Sequence, residues 1–228
     1  MRAVSLVPSS TETLLALGAD VVACTRFCEQ PEIRHVGGPK NPDVAAIAEL
    51  RPDVVVLDRQ ENRIEDAVEL ERAGLELFVS DVRTVDAALA LVADLAELIG
   101  KSVGPLAVPD VAIAPMTAFV PIWRRPWMSI GSDTYGASVL ARLGCRLVTD
   151  AEVHYPVVDL DDVAAAGPDV VLVPSEPYDF APAHLDELRA ALPDVAMELV
   201  DGQDLFWWGI RTPAAIGRLA AALDHVPG

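Results

Sequence analysis

The fold is decided by two phrases that each occur twice in the chain. The run LLALGADVV at residues 14–22 returns as LARLGCRLV at 140–148, and VAAIAELRPDVVV at 44–56 returns as LDDVAAAGPDVVL at 160–172. Each half therefore reads as a helix, a glycine stop, a strand, a second helix, a Pro-Asp pair and a buried strand. This order predicts two similar α/β lobes with parallel sheets, and we expect a ligand cleft between the lobes.

The helix that separates the two copies sets the predicted boundaries. Residues 84–99 carry apolar side chains at helical spacing, and glycine and proline interrupt regular structure over 100–109. We predict an N-terminal lobe over 1–83, a connector helix and linker over 84–114, and a C-terminal lobe over 115–228. A single connector helix predicts a stiff pair of lobes with limited hinge motion.

Composition excludes several classes of partner. The chain has 228 residues, of which 52% are hydrophobic and 23% charged, and its formal net charge is −18. Such an acidic surface repels phosphate backbones and anionic lipids, so we expect no nucleic-acid partner. No run reaches the about 18 apolar residues of a membrane span, so we expect no membrane insertion.

The first residues and the cysteines bear on location. An apolar strand begins at residue 3 without a charged leader before it, and the three cysteines make an odd number. These features predict a cytoplasmic protein with free thiols, with a bridge between Cys24 and Cys28 as the open alternative. A leader removed ahead of Met1 would instead place the protein in the periplasm or make it an extracellular lipoprotein.

The start of the first helix is predicted to lie at the ligand edge of the sheet. Ser9 and Glu12 have the spacing of a capping box, and Gly18 ends the apolar run that follows. A helix that starts at the carboxyl end of a strand points free backbone N–H groups toward that edge.

All four tryptophans fall in two stretches that read as loops, 121–131 and 200–213, beside arginine and glycine. Aromatic rings offer flat contact area and arginine offers cation–π or anion contacts, which suits a large conjugated ligand. The alternative is that the tryptophans fill the lobe interface or the core.

Signatures of catalysis are missing from the sequence. The four histidines have no metal-ligand spacing, no Cys-x-x-Cys is present, and the standard nucleotide and hydrolase motifs are absent. We expect no enzymatic activity, no intrinsic cofactor and no metal site made by the protein. A bound iron or cobalt ion would arrive already chelated.

Several motifs together resemble a known family. The chain is similar to the class III substrate-binding proteins of ABC importers, and more narrowly to the helical-backbone metal receptors, which include vitamin B12 and ferric-siderophore receptors. That resemblance implies two Rossmann-like lobes joined by one long helix. The motifs that carry it are SLVPSSTE (5–12), GGPKNPD (37–43), QENR (60–63), WRRPWM (123–128), EPYDF (176–180), DGQ (201–203) and WGIR (208–211).

The resemblance implies a binding protein for a chelated-metal small molecule. We expect a corrinoid such as cobalamin first, then a ferric siderophore or haem, and a role as the substrate-binding component of an ABC importer. The alternatives are a cytoplasmic enzyme or a sensor that acts on such a chelate. In the vitamin B12 receptor a glutamate on each lobe docks onto the permease, and the matching positions here hold Ala45 and Asp161.

The candidate ligand-binding residues are of two kinds, apolar walls and polar anchors, and Cys28 joins them because its loop could reach the cleft. The walls are Trp123, Trp127, Trp207, Trp208, Tyr135 and Tyr178, and the anchors are Lys40, Arg63, Arg124, Glu176 and Arg211.

Overall fold

The computed structural model describes residues 1–111, 113–149 and 153–226. By their internal contacts these residues form two compact units. The first unit comprises Met1–Val82, Asp86–Leu106 and Trp208–Ile210, and the second comprises Arg83–Val85, Ala107–Trp207 and the described residues from Arg211 onward.

The first unit is built on a five-stranded sheet in the order β3-β2-β1-β6-β7, in which every neighbouring pair is parallel. A short antiparallel hairpin, β4 and β5, follows β3 in the chain. The strands are β1 (Arg2–Ser5), β2 (Asp20–Cys24), β3 (Arg34–His35), β4 (Gly37–Gly38), β5 (Asn41–Pro42), β6 (Val54–Asp58) and β7 (Leu77–Ser80), and the helices are α1 (Pro8–Ala16), α2 (Val44–Leu50), α3 (Ile64–Arg72) and α4 (Val85–Leu98).

The second unit is built on a four-stranded parallel sheet in the order β11-β8-β12-β13. Its strands are β8 (Met116–Phe119), β9 (Pro121–Trp123), β10 (Met128–Ser129), β11 (Cys145–Leu147), β12 (Val170–Pro174) and β13 (Ala196–Val200), and its helices are α5 (Tyr135–Leu143), α6 (Leu160–Ala166), α7 (Pro182–Ala191), α8 (Gly202–Phe206) and α9 (Thr212–Leu223). The predicted fold class, two α/β lobes with parallel sheets, is confirmed.

The aspartate of the Pro-Asp pair makes the same hydrogen bonds in both units. Asp53 accepts a hydrogen bond from the backbone N–H of Arg2 at 2.6 Å, and Asp169 accepts one from the backbone N–H of Thr117 at 2.6 Å. In return, the N–H of each aspartate donates to the carbonyl oxygen of the same partner. The pair therefore fastens the start of one strand to the start of its neighbour, which explains why the phrase is repeated.

The first helix does not begin as predicted. It begins at Pro8, its N-cap is Val7, and no side chain caps it, so the predicted capping box of Ser9 and Glu12 is wrong. Proline suits the first helical position because its fixed φ is already helical and its missing N–H would lack a partner there. With the start at Pro8, Ser9 lies inside the helix and is buried.

Each unit has its own apolar core around the central strands. In the first, Val4, Leu6, Val55 and Leu57 belong to one buried cluster. In the second, the corresponding cluster includes Phe119, Val171, Val173 and Leu188. Burial of such side chains contributes about 1.5–3 kcal/mol each and holds the strands in register. Among the described residues, no helix combines the length and apolar character that crossing a membrane requires.

Candidate functional site

The candidate site residues of the second unit, Tyr135 apart, lie in segments that follow the carboxyl ends of three of its parallel strands. The hairpin β9–β10 follows β8, residues 175–181 follow β12, and α8 follows β13. Parallel strands end at the same edge of a sheet, and ligands of α/β proteins bind at that edge. The stretches predicted as loops are thus partly regular, because 121–131 contains the hairpin and 200–213 contains α8 and the start of α9.

Four aromatic side chains meet at this edge and are called the aromatic cluster: Trp123, Trp127, Tyr178 and Phe180. The rings of Trp123 and Tyr178 meet edge to face with centroids 5.0 Å apart, and Tyr178 lies 4.8 Å from Phe180. Trp127 stacks on Phe180 at 5.9 Å with an interplanar angle of 8°. Trp123 remains 46% exposed. The cluster therefore presents a rigid aromatic surface, to which Phe180 adds a ring that sequence reasoning missed.

Arg124 is held beside the aromatic cluster by a carboxylate. Its Nε donates to Oε2 of Glu187 on α7 at 2.7 Å, and Trp127 Nε1 donates to Glu187 Oε1 at 3.2 Å. The guanidinium also lies 5.6 Å from the Trp127 ring centroid. Glu187 thus fastens the hairpin to α7. The sequence alone did not indicate this role, because the partners of Glu187 lie about sixty residues away in the chain. Helical and strand periodicity relates only residues a few positions apart.

We expect Glu187→Gln to remove a small, pH-dependent part of the stability. The hydrogen bond from Arg124 is the main cause that holds the pKa of Glu187 below its usual value, with a further contribution from Trp127. A lowered carboxyl pKa stabilises the folded state above the usual pKa, and that contribution is lost as the pH falls through the lowered pKa. The loss should be about 0.5 kcal/mol, because solvent screens an exposed pair.

The measurement is urea unfolding of wild type and Glu187→Gln at several pH values. Asp186→Asn is the matched control, because Asp186 pairs with Arg189 on the same helix with both side chains largely exposed. The control should differ little from wild type. A Glu187→Gln effect that does not change between neutral and acidic pH would contradict the assignment.

A second set of contacts joins the loop after β12 to α8. Trp207 Nε1 donates to Oε1 of Glu176 at 2.6 Å, and the Arg211 guanidinium lies 5.0 Å from the Trp207 ring centroid. Arg211 also donates to Oε1 of Gln203 at 3.0 Å. The structure thus brings together three predicted residues, Glu176, Trp207 and Arg211.

A close backbone approach sets the position of Glu176. A Cβ atom on Gly202 would lie 2.6 Å from the backbone N of Glu176 and 2.5 Å from its Cγ. The backbone N–H of Gly202 donates to Ser175 Oγ at 2.9 Å. Only glycine allows this approach, so Gly202 is a positioning residue for the loop that carries Glu176.

In the first unit, the carboxyl ends of the strands carry a polar group around Lys40. Lys40 Nζ donates to the carbonyl oxygen of Gln60 at 2.9 Å, and Gln60 Nε2 donates to Asp81 Oδ1 at 3.0 Å. Asn62 donates to the carbonyl oxygens of Leu6 and Pro39 at 3.3 Å and 2.9 Å. Asn62 therefore ties the end of β1 to the hairpin that carries Lys40, a role that sequence reasoning missed.

Two carboxyl groups lie close to this polar group, since Asp58 accepts from the backbone N–H of Gln60 at 2.8 Å and the charge of Lys40 acts on Glu61. Burial raises the pKa of Asp58, and hydrogen bonds from Gln60, Ser80 and Val82 oppose the shift. Burial also raises the pKa of Glu61, against the opposing charge of Lys40. Within the part of the chain that the structure describes, no group of three or more His, Cys, Asp or Glu side chains is placed to hold a metal ion.

Of the remaining candidate residues, three are buried and the fourth, Arg63, pairs with a neighbouring carboxylate. Tyr135 and Trp208 are each 4% exposed, and the Tyr135 hydroxyl bonds to Thr212 at 2.8 Å. Arg63, directly before α3, pairs with Asp66 in the first turn of that helix at 2.6 Å. Cys28 is 2% exposed and its sulfur lies 3.2 Å from Thr11 Oγ1.

Comparison with known proteins agrees with the fold. A vitamin B12-binding protein of Yersinia pestis is 25% identical over 195 residues, which cover 75% of this chain and 69% of that protein. No protein-family model matches the chain.

Solved structures resemble the chain over nearly its whole length. A periplasmic haem-binding protein in complex with two haems superposes with a TM-score of 0.81 at 20% identity, over 99% of this chain and 98% of the other. The periplasmic vitamin B12-binding protein of Vibrio cholerae superposes with a TM-score of 0.75 at 20% identity, over 97% and 96%. The predicted resemblance to class III substrate-binding proteins is thereby confirmed for the fold.

Proposed function

We propose that this chain is a binding protein for a chelated-metal small molecule, with a corrinoid as the first ligand and haem as the second. The observation that carries the proposal is the aromatic cluster, in which Trp123 is 46% exposed although its ring packs edge to face with Tyr178. A fixed, exposed tryptophan offers flat apolar area at little cost in side-chain entropy, because its neighbours have already ordered it. A planar macrocycle would bury that area.

The polar residues beside the aromatic surface favour a corrinoid over haem. Corrinoids carry neutral amide side chains, which need both donors and acceptors, whereas haem carries carboxylates, which need cations. The side-chain oxygens of Glu176 and Gln203, which accept from Trp207 and Arg211, lie next to the cation Arg211. This mixture suits amides, and an anionic ligand would meet repulsion from Glu176.

Relatives support both ligands. The Yersinia pestis relative is a vitamin B12-binding protein, and a solved neighbour binds two haems. A further neighbour, from Listeria monocytogenes, is an ABC transporter substrate-binding protein, which supports a role in import.

We extend the proposal to a permease partner. Ala45 and Asp161 are exposed in the first turns of α2 and α6, which leaves both positions accessible to a membrane partner. The solved neighbours are periplasmic proteins, whereas the sequence predicts a cytoplasmic location. Cell fractionation distinguishes the two locations.

The proposal is tested by calorimetric titration of the whole chain with cyanocobalamin, cobinamide, haemin and a ferric siderophore. We expect cyanocobalamin or cobinamide to bind with a micromolar or lower Kd, roughly −8 kcal/mol, and more tightly than haemin. Tighter binding of haemin would overturn the choice of corrinoid. Binding of none of the four would overturn the proposed function.

Trp123→Ala tests whether the aromatic cluster is the contact surface. We expect it to raise the Kd of the best ligand about tenfold, because the ligand loses its exposed aromatic partner. Val68→Ala is the control, since Val68 is an exposed apolar residue on α3. Equal Kd values for the two variants would show that Trp123 does not contact the ligand.

A further inference from the structure

The loop that carries Tyr178 and Phe180 ends at a helix start that lacks the usual capping side chain. Helix α7 begins at Pro182 and its N-cap is Ala181, and neither residue has a side-chain oxygen that could cap the helix. His184, at the third helical position, takes part of that role, because the backbone N–H of Ala181 donates to His184 Nδ1 at 3.1 Å. This bond is the returning half of a capping box, a position that glutamate or glutamine usually holds.

The ring of the same histidine packs against the aromatic cluster. Its centroid lies 5.6 Å from that of Tyr178 and 6.3 Å from that of Phe180. Tyr178 in turn meets Trp123 edge to face, and Trp127 stacks on Phe180. His184 therefore joins the start of α7 to the rings of the cluster, and both of its contacts hold the loop between β12 and α7.

The hydrogen bond fixes the protonation state in which His184 can make these contacts. Because Nδ1 accepts, the ring proton is on Nε2 and the imidazole is neutral. An imidazolium carries a hydrogen on each nitrogen, so its Nδ1–H would oppose the N–H of Ala181. The start of a helix also carries a partial positive charge, which disfavours a cation there. Glutamine at this position would accept at every pH, whereas histidine accepts only while it is neutral.

The titratable and charged groups on the elements around His184 offer an imidazolium little compensation. They are Arg124 and Arg125 of the hairpin, Glu176, Tyr178 and Asp179 of the loop, and Asp186, Glu187 and Arg189 of α7. Glu187 is paired with Arg124, whose hydrogen bond holds the pKa of Glu187 below its usual value, so this carboxylate keeps its charge and its partner while imidazole titrates. Asp179 is exposed, and solvent screens its charge.

We propose that His184 is a positioning residue that holds the aromatic cluster in its binding arrangement only while its ring is neutral. As the pH falls from about 7 to 5, a proton on Nδ1 breaks the bond from Ala181 and places a positive charge at the start of α7. The loop is released at that point, and Tyr178 no longer supports Trp123. The effect on ligand binding rests on the proposed function, whereas the arrangement of the cluster can be measured without ligand.

The first test uses the whole chain without ligand. Near-UV circular dichroism reports the packing of Trp123 and Trp127, and we expect it to change between about pH 7.5 and 5. His184→Gln should abolish the change, because glutamine at the third helical position accepts without titrating. His225→Gln is the matched control, since it removes a histidine that lies 3.3 Å from Glu198. The control should change with pH as wild type does.

Nitrogen NMR of the wild-type chain with labelled histidine checks the protonation state directly. We expect His184 to be neutral at about pH 7.5 with its proton on Nε2, and its signals are identified by their loss in His184→Gln. A proton on Nδ1 at this pH would overturn the proposal. Because this measurement is made on wild type, it decides even if a variant fails to fold.

The second test is calorimetric titration with cyanocobalamin over the same pH range. We expect the wild-type Kd to rise about three- to tenfold toward acidic pH, as for the loss of a helix cap, and the Kd of His184→Gln to stay constant. An equal rise in both proteins, or wild-type dichroism that does not change with pH, would overturn the role of His184. If none of the four chelates binds, the proposed function fails, and the dichroism and NMR still decide the role of His184.

Discussion

Replacing Gly202 with alanine is expected to weaken ligand binding by at least about tenfold. The new Cβ would lie 2.6 Å from the backbone N and 2.8 Å from the backbone O of Glu176. Rotation of a side chain cannot relieve contacts with backbone atoms, so the loop after β12 has to move. In the wild type, Trp207 Nε1 donates to Glu176 Oε1 at 2.6 Å. The movement of the loop would break this hydrogen bond.

Calorimetric titration with cyanocobalamin measures the loss, and near-UV circular dichroism reports the changed surroundings of Trp207 without any ligand. Gly104→Ala is the matched control, because a Cβ there meets no atom within 4 Å. We expect the control to match wild type in both measurements. Should Gly202→Ala change the dichroism yet bind as wild type does, the Glu176 loop would not belong to the site.

Replacing Gly209 with alanine is expected to lower the free energy of unfolding by about 3 kcal/mol. Gly209 has a φ of +100°, and a Cβ there would lie 2.3 Å from Thr13 Oγ1. That oxygen accepts from the backbone N–H of Ile210 at 3.1 Å. Alanine would thus strain its own backbone and displace the hydroxyl, which leaves the Ile210 N–H without its partner.

In a chain of this length, a loss of about 3 kcal/mol in the free energy of unfolding should lower the Tm by about 6–12 °C, which thermal unfolding measures. Gly167→Ala is the control for backbone strain alone, since Gly167 has a φ of +61° and open space where a Cβ would lie. Its expected cost is about 1 kcal/mol. A Gly209→Ala variant no less stable than Gly167→Ala would show that the Thr13 contact does not constrain the segment.

The repeat illustrates what could be predicted well. The sequence predicts a helix directly before each Pro-Asp pair, and α2 and α6 end at Leu50 and Ala166, one residue before each proline's neighbour. The signals that produce this arrangement lie within a few positions of one another, so they can be read without a structure. The same holds for the strands that follow, whose buried apolar runs are continuous.

The first helix and the tryptophan stretches show where prediction from local sequence patterns failed. Ser9 and Glu12 matched a capping pattern, yet α1 begins at Pro8, whose fixed φ suits the first helical position. The stretch 121–131 matched a loop, yet Trp123 and Met128 pair across an antiparallel hairpin. In the first case one local signal outweighed another, and in the second the pairing of two strands outweighed a weak local preference.

The sequence by itself determined the fold class, the repeated order of helices and strands, and the family resemblance, because each depends on periodicity, caps and motifs that are local in the chain. Only the tertiary structure decided which side chains meet. It paired Arg124 with Glu187, stacked Trp127 on Phe180, and included Trp208–Ile210 in the first unit. Such partners lie tens of residues apart, and the packing of whole strands and helices, which no short window of sequence contains, determines which of them come into contact.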